Sequence, residues 1–387
     1  MSHPEDEEKI SEACSYPRLP TEVSDWEYLT LSEIEKVSQL LRKLARRFSS
    51  DGFGNHVVCI RPEEIKLALD FFCKEQFHLR PEVFFEKPTQ QAHVCEAQPI
   101  KLTLGEVFDI SFHSHFQPKY PEFRQTFERI VENHTAHARI WRHSGNRHLG
   151  TVVAIHGWSM GDSRVSALTL LPGFFFRLGL NVVLYELPYH GRRAGIGAMN
   201  AAFPSPDVGL TNEAFAQAVF DLRAIKMWLS TESTKPVGVA GISLGAYTGA
   251  LWSALDALDF SIFVAPFASL SGLAWDVLFE DFAPEDQERF CKEAGVTRKV
   301  LREAFRVNSA LSYVSKTAAC NRLMLASRED KLIPPRQVMA LHKHWPGSYL
   351  SWLPGDHLSQ IAENIAHEEI HDFLLERGLA HANPLDI

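Results

Sequence analysis

Hydrophobic positions follow two textures along the 387-residue chain. Before about residue 80 they recur at helical spacing. Leu31, Ile34, Val37, Leu41, Leu44 and Phe48 form one stripe, opened by the T-x-x-E capping box from Thr30 to Glu33, and predict a helix that must dock on a partner surface. A second helix is predicted to open at Pro62, because proline's missing N–H costs nothing in a first turn, and to bury Ile65, Leu69, Phe72 and Phe77. Between residues 81 and 121 the helical period is lost, prolines recur, and short extended pieces such as 107–112 take over.

Beyond residue 130 short β-branched runs alternate with longer helical stretches. Strands are predicted at 136–142, 151–155, 181–185, 237–242, 260–265, 322–326 and 349–353, with helices between most of them, notably at 212–229 and 245–258. Runs such as TVVAI and NVVLY are apolar at nearly every position, which suits strands buried on both faces. The expectation is an α/β architecture with a mostly parallel central sheet and helices on both faces. The rhythm stops between Pro266 and Cys320, where Trp275, Leu278, Phe279 and Phe282 accompany two helical patches. An insertion following a strand's C-terminal end lies over the sheet edge where ligands bind, so a helical, lid-like role is expected; a solvent-exposed helical decoration is the alternative. The predicted organisation is a largely helical N-terminal extension over 1–105 that packs on the core, and an α/β domain over 106–387 with its insertion at about 267–320.

Composition changes this picture little. With 45% hydrophobic and 22% charged residues the chain is an ordinary globular one, not a disordered one. A net charge of -9 and the lack of a long Lys/Arg run argue against nucleic acid and anionic membranes as partners. No apolar run approaches the roughly 18 residues of a spanning helix. The acidic start lacks the features of a signal peptide, and the six cysteines show no C-x-x-C spacing, so a reducing, cytoplasmic setting is expected.

Candidate chemistry comes from two G-x-S-x-G matches, Gly157-Trp158-Ser159-Met160-Gly161 and Gly241-Ile242-Ser243-Leu244-Gly245. A nucleophile elbow needs a strand, a sharp turn and a helix, with small residues flanking the turn. Ser243 has that context in full: a predicted strand before it, glycines at both flanks and a predicted helix after it. Two later loops follow predicted strands in the order acid then histidine: Ser327 to Pro335, holding Asp330, and Pro354 to Leu358, holding His357. Parallel strands would bring Ser243, Asp330 and His357 to one edge of the sheet.

From about residue 106 onward these motifs together resemble the serine hydrolases of the α/β-hydrolase fold. The resemblance implies Ser243 as nucleophile, His357 as general base and then acid, and Asp330 as the carboxylate that orients the imidazole. The D-x-x-x-P-P register favours Asp330 over its neighbour Glu329, and Asp356 is the rival beside His357. The chemistry agrees, because a serine hydroxyl is a poor nucleophile without an adjacent base. The resemblance also places His156-Gly157-Trp158 in the loop that supplies one oxyanion-hole N–H, implying Trp158 and Leu244 as the two backbone donors. Ser159 is then a loop serine satisfied by local backbone, with a rim hydroxyl near the oxyanion as the alternative, and Asp162 is a helix cap rather than a catalytic acid. Glu186-Leu187-Pro188-Tyr189-His190-Gly191-Arg192-Arg193 departs from the family's D-x-x-G-H-G-x-S turn, which makes His190 structural. Arg192 and Arg193 are expected to be exposed or structurally paired, with contact to an acidic substrate group as the alternative.

Met160, Tyr247, Trp275 and Phe279, with Trp158 and Leu244, suggest an apolar substrate pocket. The expected partner is a small-molecule ester or other acyl compound with an apolar group. No cofactor or metal is expected, no transmembrane segment, and nothing sets an oligomeric state. Thioesterase, amidase, peptidase or acyltransferase activity would use the same triad, and a non-catalytic interaction protein on the same scaffold is a further class. His367-Glu368-Glu369-Ile370-His371 is a formal H-E-x-x-H zinc motif. Among 18 histidines a chance match is common, and the short tail after His371 leaves little room for a third-ligand helix. A solvated helix face is the better reading.

Overall fold

The computed structural model describes residues 62–158, 160, 170, 172–194, 203–205, 207–278, 283–357 and 364–382. The predicted 31–48 helix lies outside the described residues, as do Ser159, Asp162 and Phe279. The strands are β1 (Cys95–Glu96), β2 (Ile100–Lys101), β3 (Gly105–His113), β4 (Thr135–His143), β5 (Gly150–Ile155), β6 (Leu180–Tyr185), β7 (Val237–Ile242), β8 (Ser261–Val264), β9 (Arg322–Ser327) and β10 (Tyr349–Leu353). They form one sheet in the order β1-β3-β4-β6-β5-β7-β8-β9-β10, with β2 also paired to β3. From β1 to the β4–β6 pair the ladders are antiparallel, and from β6 to β10 they are parallel. Each strand predicted after residue 130 is found within one residue of its expected ends.

The unbroken apolar runs have a direct cause. Every residue of β5 is buried, with Val153 and Ile155 in one apolar cluster and Val152 and Ala154 in the other, so neither face of the strand meets water. The helices are α1 (Pro62–Glu75), α2 (Pro81–Phe84), α3 (Arg124–Arg129), α4 (Pro172–Arg177), α5 (Val208–Glu232), α6 (Leu244–Leu255), α7 (Leu270–Leu278), α8 (Pro284–Ala294), α9 (Arg298–Ala304), α10 (Pro335–His344) and α11 (Asn364–Leu375). Side chains of α5, α6 and α10 enter the first cluster, and those of α4 and α11 the second. Sheet and helices thus have the layered arrangement of the α/β-hydrolase fold.

Helix α5 starts four residues before its predicted position. Asp207 caps it, its Oδ1 accepting the Leu210 N–H at 2.9 Å. The helix is buried nearly all round, including Thr211, Asn212, Glu213, Gln217 and Asp221, because α1 covers the side that the sheet does not. Glu213 accepts the backbone N–H groups of Lys119 and Tyr120 at 2.9 and 2.6 Å, while burial pushes its carboxyl up to about 8.

Among its described residues the insertion holds three α-helices, α7 to α9, where two helical patches were expected. Its later half is tied to the core by a buried chain of amides. Tyr247 on α6 donates its hydroxyl to Asn308 Oδ1 (2.7 Å), Asn308 Nδ2 donates to Asn212 Oδ1 (2.5 Å), and Asn212 Nδ2 donates to the Ala304 carbonyl (3.0 Å). Helix α1 then packs on α8, α9 and α5. Its Ile65, Leu69 and Phe72 are buried, as is Phe77 beyond its end, matching the side read from the sequence. The Phe72 ring lies 5.8 to 6.2 Å from those of Phe77, Phe84 and Tyr120.

Phe72→Ala should therefore lower the stability of the whole domain by about 3–5 kcal/mol, the range for truncating a fully packed phenylalanine. Denaturant unfolding checks this. A loss confined to a separate, early-melting fraction would mean that α1 is not part of the core.

Candidate active site

Ser243 stands between β7 and α6 with φ 53° and ψ -114°, a left-handed backbone that a residue with a Cβ rarely takes. Such strain costs about 1–3 kcal/mol and persists only where the surroundings enforce it. Here they do. The Ser243 N–H is held by the Val264 carbonyl of β8 at 2.9 Å, and its own carbonyl accepts the Tyr247 N–H at 2.9 Å to start α6. The flanking glycines are required by contact: a Cβ on Gly241 would lie 2.4 Å from the Gly245 carbonyl oxygen, and one on Gly245 would lie 2.0 Å from the Ile155 carbonyl oxygen. The first turn of α6 is pressed against the ends of β7 and β5.

Asp330 and His357 emerge from β9 and β10, on the same edge as Ser243, because β7 to β10 run parallel. The two side chains meet at 2.7 Å, His357 Nδ1 to Asp330 Oδ2. The other carboxylate oxygen of Asp330 accepts the Leu332 and Ile333 N–H groups at 3.0 and 2.8 Å, so the group is fixed from both sides. Asp330 is buried and His357 nearly so. Ser327 joins the two loops: its hydroxyl donates to the Gly355 carbonyl and accepts the Glu329 N–H at 3.0 Å. Neither Glu329 nor Asp356 makes the contact to His357 that Asp330 makes. Among the described residues no hydrogen bond closes between the Ser243 hydroxyl and the His357 ring; such bonds commonly tighten only when substrate binds.

The loop after β5 comes down beside this edge. A Cβ on Gly157 would lie 3.5 Å from the Ile242 carbonyl oxygen and 3.2 Å from Met160 Sδ, which places Gly157 against the end of β7 with Met160 beside it. Leu244 is the first residue of α6, where N–H groups have no intrahelical partner and the helix dipole is positive. His156 is fully buried; its Nε2 accepts the Leu187 N–H at 3.1 Å and its Nδ1 meets the Gly157 carbonyl at 2.7 Å. The His190 ring stands edge-on to it at 5.0 Å and bonds the Pro188 carbonyl at 2.9 Å.

Other residues from the sequence reading take different places. Tyr247 is wholly buried behind the elbow, stacked on Phe267 at 4.4 Å. Trp275 is half-buried on α7, with the Arg298 guanidinium of α9 lying 4.7 Å over its ring. Arg193 is completely buried and paired with Asp221 at 2.8 Å; it also donates to Tyr185 Oη and to the carbonyls of Glu186 and Asn133. Arg192 binds Glu186, whose carboxyl burial pushes up against the pull of that arginine. The turn's departures from the family pattern are thus a self-paired set: Glu186 with Arg192, and Arg193 with Asp221 from α5. The Asp221 partner and the Ser327 clasp were not read from the sequence, and only the unusual double arginine hinted at the first. His371 bonds the His381 carbonyl at 3.0 Å, and the His367 ring stacks on Phe174 at 4.8 Å. No group of three metal-binding side chains occurs among the described residues. None of the described helices is long and apolar enough to cross a membrane.

Fold and site geometry define the class of protein: the chain has the α/β-hydrolase fold. No family model matches it. It is 29% identical over 335 residues to the uncharacterized protein Rv2627c of Mycobacterium tuberculosis, covering 85% of this chain and 78% of that protein. Among solved structures it is similar to acetyl xylan esterase 1 from Thermoanaerobacterium sp. JW/SL YS485, with a TM-score of 0.53 at 14% identity, covering 80% of this chain and 93% of that one. The acetyl xylan esterase from Paenibacillus sp. R4 gives the same TM-score, 0.53, and identity, 14%, over 79% and 94% of the two chains.

The environment of the buried rings makes a pH prediction. Burial lowers His156 to about 4 and His190 to about 3, so both are neutral in the folded chain where an unfolded histidine would titrate near 6.5. Their depressed values contribute stability that is complete above pH 6.5 and drains as pH falls towards 4 and 3, at about 1.4 kcal/mol per pH unit for each ring. In NMR titrations the His156 and His190 ring signals should not move between pH 8 and 5.5. A midpoint near 6.5 for either would show that the ring is not held neutral.

Proposed function

We propose that the chain is a serine hydrolase that cleaves carboxylic esters through an acyl-enzyme. The observation that carries this reading is the Asp330–His357 pair, joined at 2.7 Å, on the same sheet edge as the strained Ser243. With Nδ1 of His357 turned to Asp330, its Nε2 is the nitrogen left to take the Ser243 proton as the hydroxyl attacks an acyl carbon. The oxyanion is received by the Leu244 and Trp158 N–H groups, the first with the positive end of the α6 dipole behind it. Aimed donors of this kind contribute about 3 kcal/mol each. His357 then protonates the departing alcohol, and a water molecule repeats the attack to free the acid.

Met160, beside Gly157, and the half-buried Trp158 support an apolar group on a small ester as the substrate. Ester cleavage is also the activity in the names of the two similar structures. The free thiols of Cys73, Cys95, Cys291 and Cys320 agree with a reducing compartment such as the cytoplasm. Helix α1 serves as structural padding for α5 and α9.

Ser243→Ala should lower kcat on 4-nitrophenyl acetate by about 10⁴-fold or more and abolish labelling by a fluorophosphonate probe, with Ser159→Ala still labelled. Activity in the Ser243 variant that a chelator removes would point to a metal hydrolase instead. An unlabelled wild-type chain without activity on esters, thioesters or amides would mean that the scaffold is not catalytic.

A further inference from the structure

Gly157 and Trp158 share one planar peptide, in which the carbonyl and the N–H point in opposite directions. The direction of the Gly157 carbonyl therefore decides where the Trp158 N–H is aimed. A peptide that follows glycine turns easily, because no Cβ restricts its dihedrals. Something must hold it.

His156 is placed to do so. Its Nε2 accepts the Leu187 N–H at 3.1 Å, so the ring proton sits on Nδ1, and Nδ1 donates it to the Gly157 carbonyl at 2.7 Å. The Met160 N–H reaches the same carbonyl at 3.4 Å, a longer and weaker bond. Leu187 follows β6, so the imidazole lies on the β6 side of the point where the chain leaves β5. In the sheet β5 separates β6 from β7, and the α carbon of Gly157 faces the Ile242 carbonyl at the end of β7. With the carbonyl drawn towards β6, the N–H across the same peptide is turned to the β7 side, where Ser243 and Leu244 stand.

We propose that His156 is a positioning residue: by holding the Gly157 carbonyl through Nδ1 it aims the Trp158 N–H at the oxyanion. The proposal rests on the serine-hydrolase reading. His156 touches no substrate and exchanges no proton during the reaction. It acts through the peptide that follows it, and the His190 ring packed edge-on at 5.0 Å keeps it from turning.

Two side chains separate this role from simple packing. Asparagine places an amide N–H where Nδ1 stood and loses the acceptor for Leu187; glutamine keeps an acceptor near the Nε2 position and loses the donor to Gly157. On 4-nitrophenyl acetate, His156→Asn should retain kcat within about threefold, while His156→Gln should lose about 10²-fold in kcat with KM little changed, and its fluorophosphonate labelling should slow in parallel. Equal kcat in the two variants, or a loss confined to KM, would overturn the proposal. ¹⁵N NMR of the wild-type chain tests it without any variant: the His156 ring must be protonated on Nδ1 and bare on Nε2 at pH 7, and the opposite tautomer overturns the proposal. Full activity in Ser243→Ala would sink the hydrolase reading itself, whereas an inactive Ser243→Ala beside an unimpaired His156→Gln sinks only the role of His156.

Discussion

The site depends on one steric constraint: the backbone of α6's first turn touches the ends of two strands with no side chain between. Gly245 lies against the Ile155 and His156 carbonyls, and Gly241 lies against Gly245. That contact sets how far Ser243 stands from the loop after β5, and so whether one oxyanion could meet donors from both in the proposed mechanism. Strain at Ser243 comes with it and amounts to about 1–3 kcal/mol. The surroundings offset this readily, since Leu244, Tyr247 and Leu251 on the same helix are fully buried and each contributes about 1.5–3 kcal/mol through burial. A strained turn survives here because both of its arms are core elements.

Polar groups inside the core extend that control to the loops. Arg193 and Asp221 would each be costly alone, as both are wholly desolvated; paired and bonded to Tyr185, Ser114 and Asn133, they anchor the turn after β6 to α5. The Tyr247–Asn308–Asn212 chain does the same for the later insertion. Apolar packing alone tolerates small sliding of loops, whereas these bonds each demand one geometry. The turn after β6 also presents the Leu187 N–H to His156, so the anchoring of Arg193 reaches the loop after β5 through a single ring.

How much of this was legible in the sequence follows from where each signal originates. The strands after residue 130 were found almost to the residue, because burial on both faces leaves runs such as TVVAI and VGVAGI almost wholly apolar. That Ser243, Asp330 and His357 share one edge of the sheet was legible because each follows the end of a strand, and strand ends are marked by local turn chemistry. The start of α5 was placed late: apolar periodicity fades where Thr211, Asn212 and Glu213 are buried, and the Asp207 cap was passed over. Tyr247 was read as lining a pocket, since its neighbourhood to Ser243 in sequence does not say which face of α6 it takes; one helical turn on, it lies in the core. The double arginine suggests a structural pairing, but nothing local points to Asp221, 28 positions later, as the partner of Arg193.

Two histidines at this sheet edge illustrate how environment divides labour between identical side chains. His156 is sealed among backbone groups and rings and has no carboxylate partner among the described residues, so burial disfavours a positive charge there. It is restricted to one neutral tautomer, which is what a fixed hydrogen-bond donor requires. His357 is set against Asp330, which supplies the counter-charge that an imidazolium needs when the ring takes a proton. In the proposed mechanism one ring accepts a proton and the other stays neutral, and the two can lie at the same edge only if a carboxylate reaches one and not the other. The loop after β9 meets this condition: its Asp330 side chain is spent on His357 and the Leu332 and Ile333 N–H groups, on the far side of β7 from His156.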